Sequence, residues 1–169
     1  MGLEQLWAGW RHEYVASATA DERSGSGGGC VFCRIAASGP PSADNGVVWR
    51  DERSVVVLNA YPYASGHLLV VPVRHVEGLD NLSDEESASL WDATRTALRA
   101  LAVAYEPDGL NMGANLGRAA GAGIPRHVHL HALPRWSGDT NFMTAVAGAR
   151  VLPESLGDSW GRLRSAWPA

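Results

Sequence analysis

Residues 127–135 read His-Val-His-Leu-His-Ala-Leu-Pro-Arg, so three of the chain's six histidines stand at alternate positions. Successive side chains of an extended strand point to opposite faces, which places His127, His129 and His131 on one face and Val128, Leu130 and Ala132 on the other. Three imidazoles on one face repel when all are protonated, so the arrangement calls for a neutral state, a metal or an anion. One alternative is a catalytic zinc held by all three, since three histidines can leave a coordination position open. However, ligands at i, i+2 and i+4 of a strand span about 13 Å at a rise of roughly 3.3 Å per residue, too far for one ion unless the strand bends. The alternation therefore favours divided labour: a metal ligand, a nucleophile and a phosphate contact.

Two other groupings could serve the same chemistry. Asn115 to Pro125 contains Gly117, Gly121, Ala122 and Gly123, small residues that let backbone amides approach an anion. Within it Arg118, and just beyond it Arg126, could attract a polyphosphate or simply be solvated. Cys30 and Cys33 are the only cysteines. Three apart, they make a poor disulfide framework and a common half of a metal site, with a metal-free reduced pair as the alternative.

These residues need a scaffold. The chain has 169 residues, suited to one core, and a formal net charge of −4. With no broad basic field, nucleic acid is not the expected partner, and an anionic ligand must be held locally. No run approaches 18 apolar residues, and the N-terminus lacks a basic start followed by an apolar core, so a cytoplasmic protein is expected.

Leu3, Leu6, Trp7, Trp10 and Tyr14 recur at helical spacing, and Ser24 to Gly29 reads as a flexible link. Residues 1–29 are thus expected as helix and linker, 30–153 as the main domain, and 154–169 as a tail packing on it. Val47 to Arg50 and Ser54 to Asn59 suggest a hairpin, and His67 to Val71 a third strand ended by Pro72, which has no amide hydrogen for the ladder. Ser83 with Glu86 forms a capping box for a long helix whose buried face is Leu90, Thr94, Ala97, Leu98, Leu101 and Tyr105. Gly109 to Asn115 and His127 to Leu133 complete the strands. Most connections are too short for parallel crossovers, so the expected class is α+β, an antiparallel sheet carrying one or two helices.

The segment His127 to Arg135 resembles the signature of the histidine triad superfamily. Asn59-Ala-Tyr-Pro-Tyr-Ala-Ser-Gly-His-Leu-Leu-Val-Val-Pro72 is similar to the segment that shapes the nucleotide site in these proteins. Pro134-Arg-Trp-Ser-Gly-Asp-Thr-Asn-Phe-Met143, together with the N-terminal Leu-Trp helix, resembles the diadenosine tetraphosphate phosphorylase branch of actinobacteria. The resemblance, covering about Leu3 to Pro153, implies an α+β fold of about five antiparallel strands with one long helix and one or more shorter ones. It implies a dimer formed by joining two sheets, and attack of the middle histidine on an α-phosphate. It further implies His129 as nucleophile, His131 and Asn115 on phosphate oxygens, and Asn59 at the ribose, where relatives often carry an aspartate. Zinc-bearing members complete a cysteine pair with a histidine three residues after the strand's proline and with the first triad histidine. That maps a structural zinc onto Cys30, Cys33, His75 and His127, which leaves His127 serving both metal and reaction centre.

His67 could buttress the phosphate-binding group, while Trp136 and Phe142 suit packing better than base stacking. Many relatives place serine or glutamine in the turn before the triad, where this chain has Ala122-Gly123-Ile124-Pro125, so backbone amides must substitute and inorganic phosphate and water both remain as acceptor. Three classes follow: an enzyme acting on dinucleoside polyphosphates, a nucleoside phosphoramidate or mononucleotide hydrolase, and a zinc-stabilised nucleotide-binding module without turnover. A fourth, hydrolysis at a triad-bound zinc, would make activity depend directly on the metal.

Overall fold

The computed structural model describes residues 29–139 and 152–168. The expected N-terminal aromatic helix, most of the Gly/Ser link, and Phe142 lie outside them.

The described elements are helix α1 (Val31–Ala36), strands β1 (Val47–Arg50), β2 (Ser54–Leu58) and β3 (Leu68–Pro72), helix α2 (Asp84–Tyr105), strands β4 (Gly109–Gly113) and β5 (Leu130–Arg135), and helix α3 (Leu156–Ala166). The five strands form one sheet in the order β1-β2-β3-β5-β4, every neighbouring pair antiparallel. No described helix is long and apolar enough to cross a membrane.

Alternation divides the sheet into two faces. Val56, Leu58, Leu68, Val70, Leu130 and Ala132 point to one side and pack with α2 and α3. Val55, Val57, Leu69 and Val71 point to the other and meet Phe32 and Ala36 of α1. Both faces of β2 and β3 are covered, and every residue of these two strands is buried. Their unbroken apolar sequences are the consequence.

Helix α2 begins as its sequence predicts. The Ser83 hydroxyl accepts the Glu86 amide at 3.2 Å, and the Glu86 carboxylate accepts the Ser83 amide at 2.9 Å, satisfying two otherwise orphaned donors. Asp84, Glu85 and Glu86 place negative charge at the positive end of the helix dipole. Leu90, Thr94, Ala97 and Leu101 are buried, while Leu98 and Tyr105 flank the core half-buried. The helix ends where Glu106 turns left-handed, at φ 44°. C-terminal helix α3 closes the same side: Leu163 is fully buried, the Trp167 ring stacks on Trp49 at 5.9 Å, and the Trp160 indole donates to the Val47 carbonyl.

The histidine strand and β4 depart most from their expected bounds, beside shifts of one residue at the end of β2 and at both ends of β3. Pairing of the histidine segment starts at Leu130 and runs to Arg135, rather than from His127 to Leu133. The last partner on β3 is Val70, opposite Leu130. Before that point the chain is held by other means, with the Val128 amide donating to the Val76 carbonyl and the His127 ring bonding the Pro72 carbonyl. Pro72 can accept but cannot donate, so a regular ladder does not continue there. Strand β4 likewise stops at Gly113, which leaves Asn115 in the following loop.

Candidate active site

The α1 face carries the reacting groups. Leu69 pairs with His131 across β3 and β5, so His131 projects to the side on which Leu69 meets α1. Phe32 of α1 touches both of the preceding histidines, with ring centroids 5.5 Å from His127 and 4.9 Å from His129. A cleft of about 150 Å³ opens beside them. Phe32, Ile35 and Val57 are among its apolar lining, and Asn59, Asn115, His129 and His131 among its polar lining. An apolar wall facing a few convergent polar groups suits a flat heteroaromatic ligand with a charged tail.

Each triad histidine has a different environment. The His127 Nε2–H donates to the Pro72 carbonyl at 2.9 Å, which leaves Nδ1 with the lone pair. That nitrogen lies 3.2 Å from the Cys30 sulfur and 3.7 Å from the Cys33 sulfur. The His129 Nδ1–H donates to the His127 carbonyl at 2.9 Å, so its Nε2 keeps the lone pair. Burial pushes the His129 pKa below the ordinary histidine value, although the bond to the His127 carbonyl opposes the shift. A neutral ring with an available Nε2 beside a cleft can act as a nucleophile. Burial lowers the His127 pKa as well, and the neighbouring His75 and His129 add to the effect.

His131 is held from behind. His67 is fully buried, and its Nε2 bonds the His131 Nδ1 at 2.9 Å. His67 thus stands beneath His131, in the buttressing position considered for it, and is not among the residues that line the cleft. The Tyr63 ring lies nearly parallel to His131, 5.9 Å between centroids, and restricts its rotation.

Cys30, Cys33, His75 and His127 bring four ligand atoms within 4.8 Å of one another. Tetrahedral zinc with bonds near 2.3 Å to sulfur and 2.0–2.1 Å to nitrogen separates adjacent S and N atoms by roughly 3.5 Å. The S–N separations of 3.2, 3.3 and 3.7 Å fit that arrangement. Burial and the adjacent Cys30 push the Cys33 thiol pKa up, because neighbouring thiolates repel without a cation. The donor set fits zinc in both chemistry and spacing, and the Pro72 carbonyl supplies the outer contact that orients a ligating imidazole.

The glycine loop differs from expectation. The Gly121 amide donates to the Arg118 carbonyl and the Ala122 amide to the Gly117 carbonyl, so both close the turn rather than face an anion. The Ala122 side chain is buried, whereas Gly121 and Gly123 border the cleft. Arg118 and Arg126 are exposed, and Trp136 stands edge-on to Tyr105 at 6.0 Å. Sequence reasoning missed the apolar cleft wall. Val31 and Ile35, one helical turn apart beside Phe32, carried a signal, but a six-residue helix leaves little periodicity to detect. It named the segment from Asn59 to Pro72 but singled out neither of its cleft-lining tyrosines, Tyr61 and Tyr63, which lie in an irregular loop.

The sequence matches the HIT domain family over residues 41–138. It is 40% identical over 169 residues to the AP-4-A phosphorylase of Mycobacterium tuberculosis, an alignment spanning 98% of this chain and 85% of that protein. It is 34% identical over 113 residues to Protein hit of Bacillus subtilis, covering 67% of this chain and 75% of the relative. Among solved structures, it resembles a zinc-bound histidine triad family protein from Mycobacterium smegmatis with a TM-score of 0.65 and 31% identity, over 82% of this chain and 92% of that one.

Proposed function

Given that the chain belongs to the HIT domain family, we propose that it transfers a nucleotidyl group from dinucleoside polyphosphates, such as diadenosine tetraphosphate, to inorganic phosphate. The observation that carries this reading is the orientation of His129: Nδ1 is spent on the His127 carbonyl, and the lone pair of Nε2 belongs to a ring lining the cleft beside His131. The relative named for AP-4-A phosphorolysis, aligned over nearly the whole chain, supports the substrate class.

In the first displacement the His129 Nε2 attacks the α-phosphorus and the bond to the bridging oxygen breaks, its electron pair leaving on the polyphosphate. The resulting nucleotidyl-histidine keeps its Nδ1–H on the His127 carbonyl, which accommodates the positive charge gained by the ring. In the second displacement an oxygen of inorganic phosphate attacks, and the P–N electron pair returns to Nε2. His131 and Asn115 donate to the equatorial oxygens, where transition-state charge accumulates. In this reading the cleft-lining Phe32, Ile35 and Val57 form the wall for the base, and Asn59, from the same lining, takes the ribose.

Cys30, Cys33, His75 and His127 hold zinc in this reading. Its contribution is structural: bound there, it ties the start of α1 to the chain beyond β3 and to the triad. His127 then orients His129 through its carbonyl and takes no part in bond making. The expected assembly is a homodimer formed at β4, an edge strand with exposed Leu110 and Met112.

The test is product analysis of wild type and His129→Ala with diadenosine tetraphosphate, with and without phosphate. ADP plus ATP formed only with phosphate is the expected result. AMP plus ATP without phosphate would indicate water as acceptor, and undiminished turnover by His129→Ala would remove the nucleophile assignment.

A further inference from the structure

The stretch joining β2 to β3 has two sides. Asn59, Tyr61 and Tyr63 line the cleft, while Gly66, near its end, rests on Tyr105, the last residue of α2. Gly66 is left-handed, at φ 76°, and a Cβ there would stand 2.7 Å from the Tyr105 Cζ, nearer than carbon atoms pack. Backbone and phenol ring are thus in direct contact. The stretch closes on itself through backbone bonds, the His67 amide donating to the Ala64 carbonyl at 3.2 Å and the Asn59 amide to the His67 carbonyl at 2.9 Å. These bonds join its ends, and the contact with Tyr105 fixes where the bend stands.

The C-terminal segment holds the Tyr105 ring from the far side. Its hydroxyl donates to Glu154 Oε1, which also accepts the Ser159 hydroxyl at 2.6 Å. The other carboxylate oxygen lies 3.5 Å from Arg162 Nη2. The same guanidinium stands over the Tyr105 ring, 5.1 Å from its centroid, within range of cation–π attraction, and donates to the Ala104 carbonyl at 3.4 Å. The Glu154 side chain is only 13% exposed, so water competes little for its bonds. Burial, reinforced by Glu154, pushes the Tyr105 phenol above its ordinary pKa, so it remains a donor. A phenylalanine would satisfy the packing on Gly66; the hydroxyl, carboxylate and guanidinium fix the ring's position in addition.

From this convergence we infer that Tyr105 is a positioning residue for the nucleotide cleft: clamped by Glu154, it sets the bend at Gly66 and with it the placement of Asn59, Tyr61 and Tyr63. The C-terminal segment thereby acts on the cleft around the end of the sheet, through one ring that is not itself part of the cleft lining. His129 is oriented separately, by the His127 carbonyl, so the clamp governs how well a nucleoside is held rather than how fast a bound phosphate reacts. Binding groups already in place cost less entropy to order on a ligand. That the ligand is a nucleotide rests on the function proposed above; the effect on the backbone at Gly66 does not.

Amide hydrogen exchange of the full-length protein without ligand reads the bend itself, at the amides of Asn59 and His67. Tyr105→Phe, which keeps the ring and deletes the hydroxyl, should speed their exchange about fivefold, the factor for one net hydrogen bond. Glu154→Ala should do the same, and the double variant should be no worse than either, because both remove one interaction. Glu154→Gln, whose amide oxygen can still accept from Tyr105, should stay near wild type. Leu163→Ala, which loosens the same C-terminal helix at a different place, should lower melting and leave exchange at the bend unchanged. In turnover of diadenosine tetraphosphate with phosphate, the KM of Tyr105→Phe should rise by a similar factor while kcat stays within about twofold. Unchanged exchange in a folded Tyr105→Phe, an equal rise in Leu163→Ala, or a fall in kcat at constant KM overturns the inference. Inertness of the wild type toward the dinucleotide, with the expected exchange pattern, would instead reject the proposed function and leave the clamp standing.

Discussion

The two faces of the sheet are built by opposite strategies. On one side the 22-residue α2 carries its own start signal, a wide apolar stripe and a second helix packed beside it. On the other, α1 has six residues and no side-chain cap, and it is held by point contacts. The Arg50 guanidinium donates to the carbonyls of Ala36 and Gly39 at its end, and Cys30 and Cys33 meet His75 and His127 at its beginning. The α2 face can be stable through burial alone. The α1 face leaves room for a cleft, and isolated short helices are marginal in water, so it depends on individual bonds and a fitting metal.

The strongest way to break this contrast is His129→Ala. It should reduce nucleotidyl transfer by at least about a thousandfold, because removing a covalent nucleophile eliminates the two-step route. Melting should change little, since the ring borders a cleft rather than filling the main core. A large loss of stability would place His129 among the structural residues. On the opposite face, Leu163→Ala should cost about 2–5 kcal/mol in denaturant unfolding, as expected for truncating a fully buried leucine. Residual activity per folded molecule should match wild type. Coupling of this change to nucleotide affinity would show that the two faces are not independent.

Cys33→Ser, or chelation of the wild type, tests the metal-dependent side. Lower melting and weaker nucleotide binding are expected, with the Leu163 environment unchanged. Equal melting with and without chelator, checked by metal analysis, would refute a stabilising zinc. The smallest effect should come from the α2 cap. Hydrogen bonding to the Arg74 guanidinium is the main cause holding the Glu86 carboxyl down to about 2, against an ordinary value of 4.5. The folded value lies below the unfolded one, so the contribution is present above pH 4.5 and is lost as pH falls toward 2. The stability gap between wild type and Glu86→Gln should therefore narrow on acidification over that window. A constant gap would assign the effect to packing.

Much of the α2 face was legible in the sequence because its signals are local. Ser83 and Glu86 are three residues apart, and the buried positions of α2 repeat every three or four. The histidine alternation was legible for the same reason, as was the Cys30/Cys33 pair, whereas His75 and His127 joined that pair only through the resemblance to the histidine triad superfamily. The limits of the histidine strand were not, because Leu130 marks the start of pairing only through β3 and the proline that terminates it. The glycine loop looked like an amide cradle, but two of its amides are used by carbonyls three and five residues earlier.

The sequence by itself determined which chemical groups are present and which share a face, since side-chain alternation is a property of the backbone repeat. Only the tertiary structure decided which nitrogen of each ring carries hydrogen. His127 receives its orientation from Pro72, 55 residues away, and offers its other nitrogen to Cys30, 97 residues away. His131 meets its partner His67 from 64 residues away. An isolated neutral imidazole interconverts between two tautomers, and only partners brought together by folding select one of them.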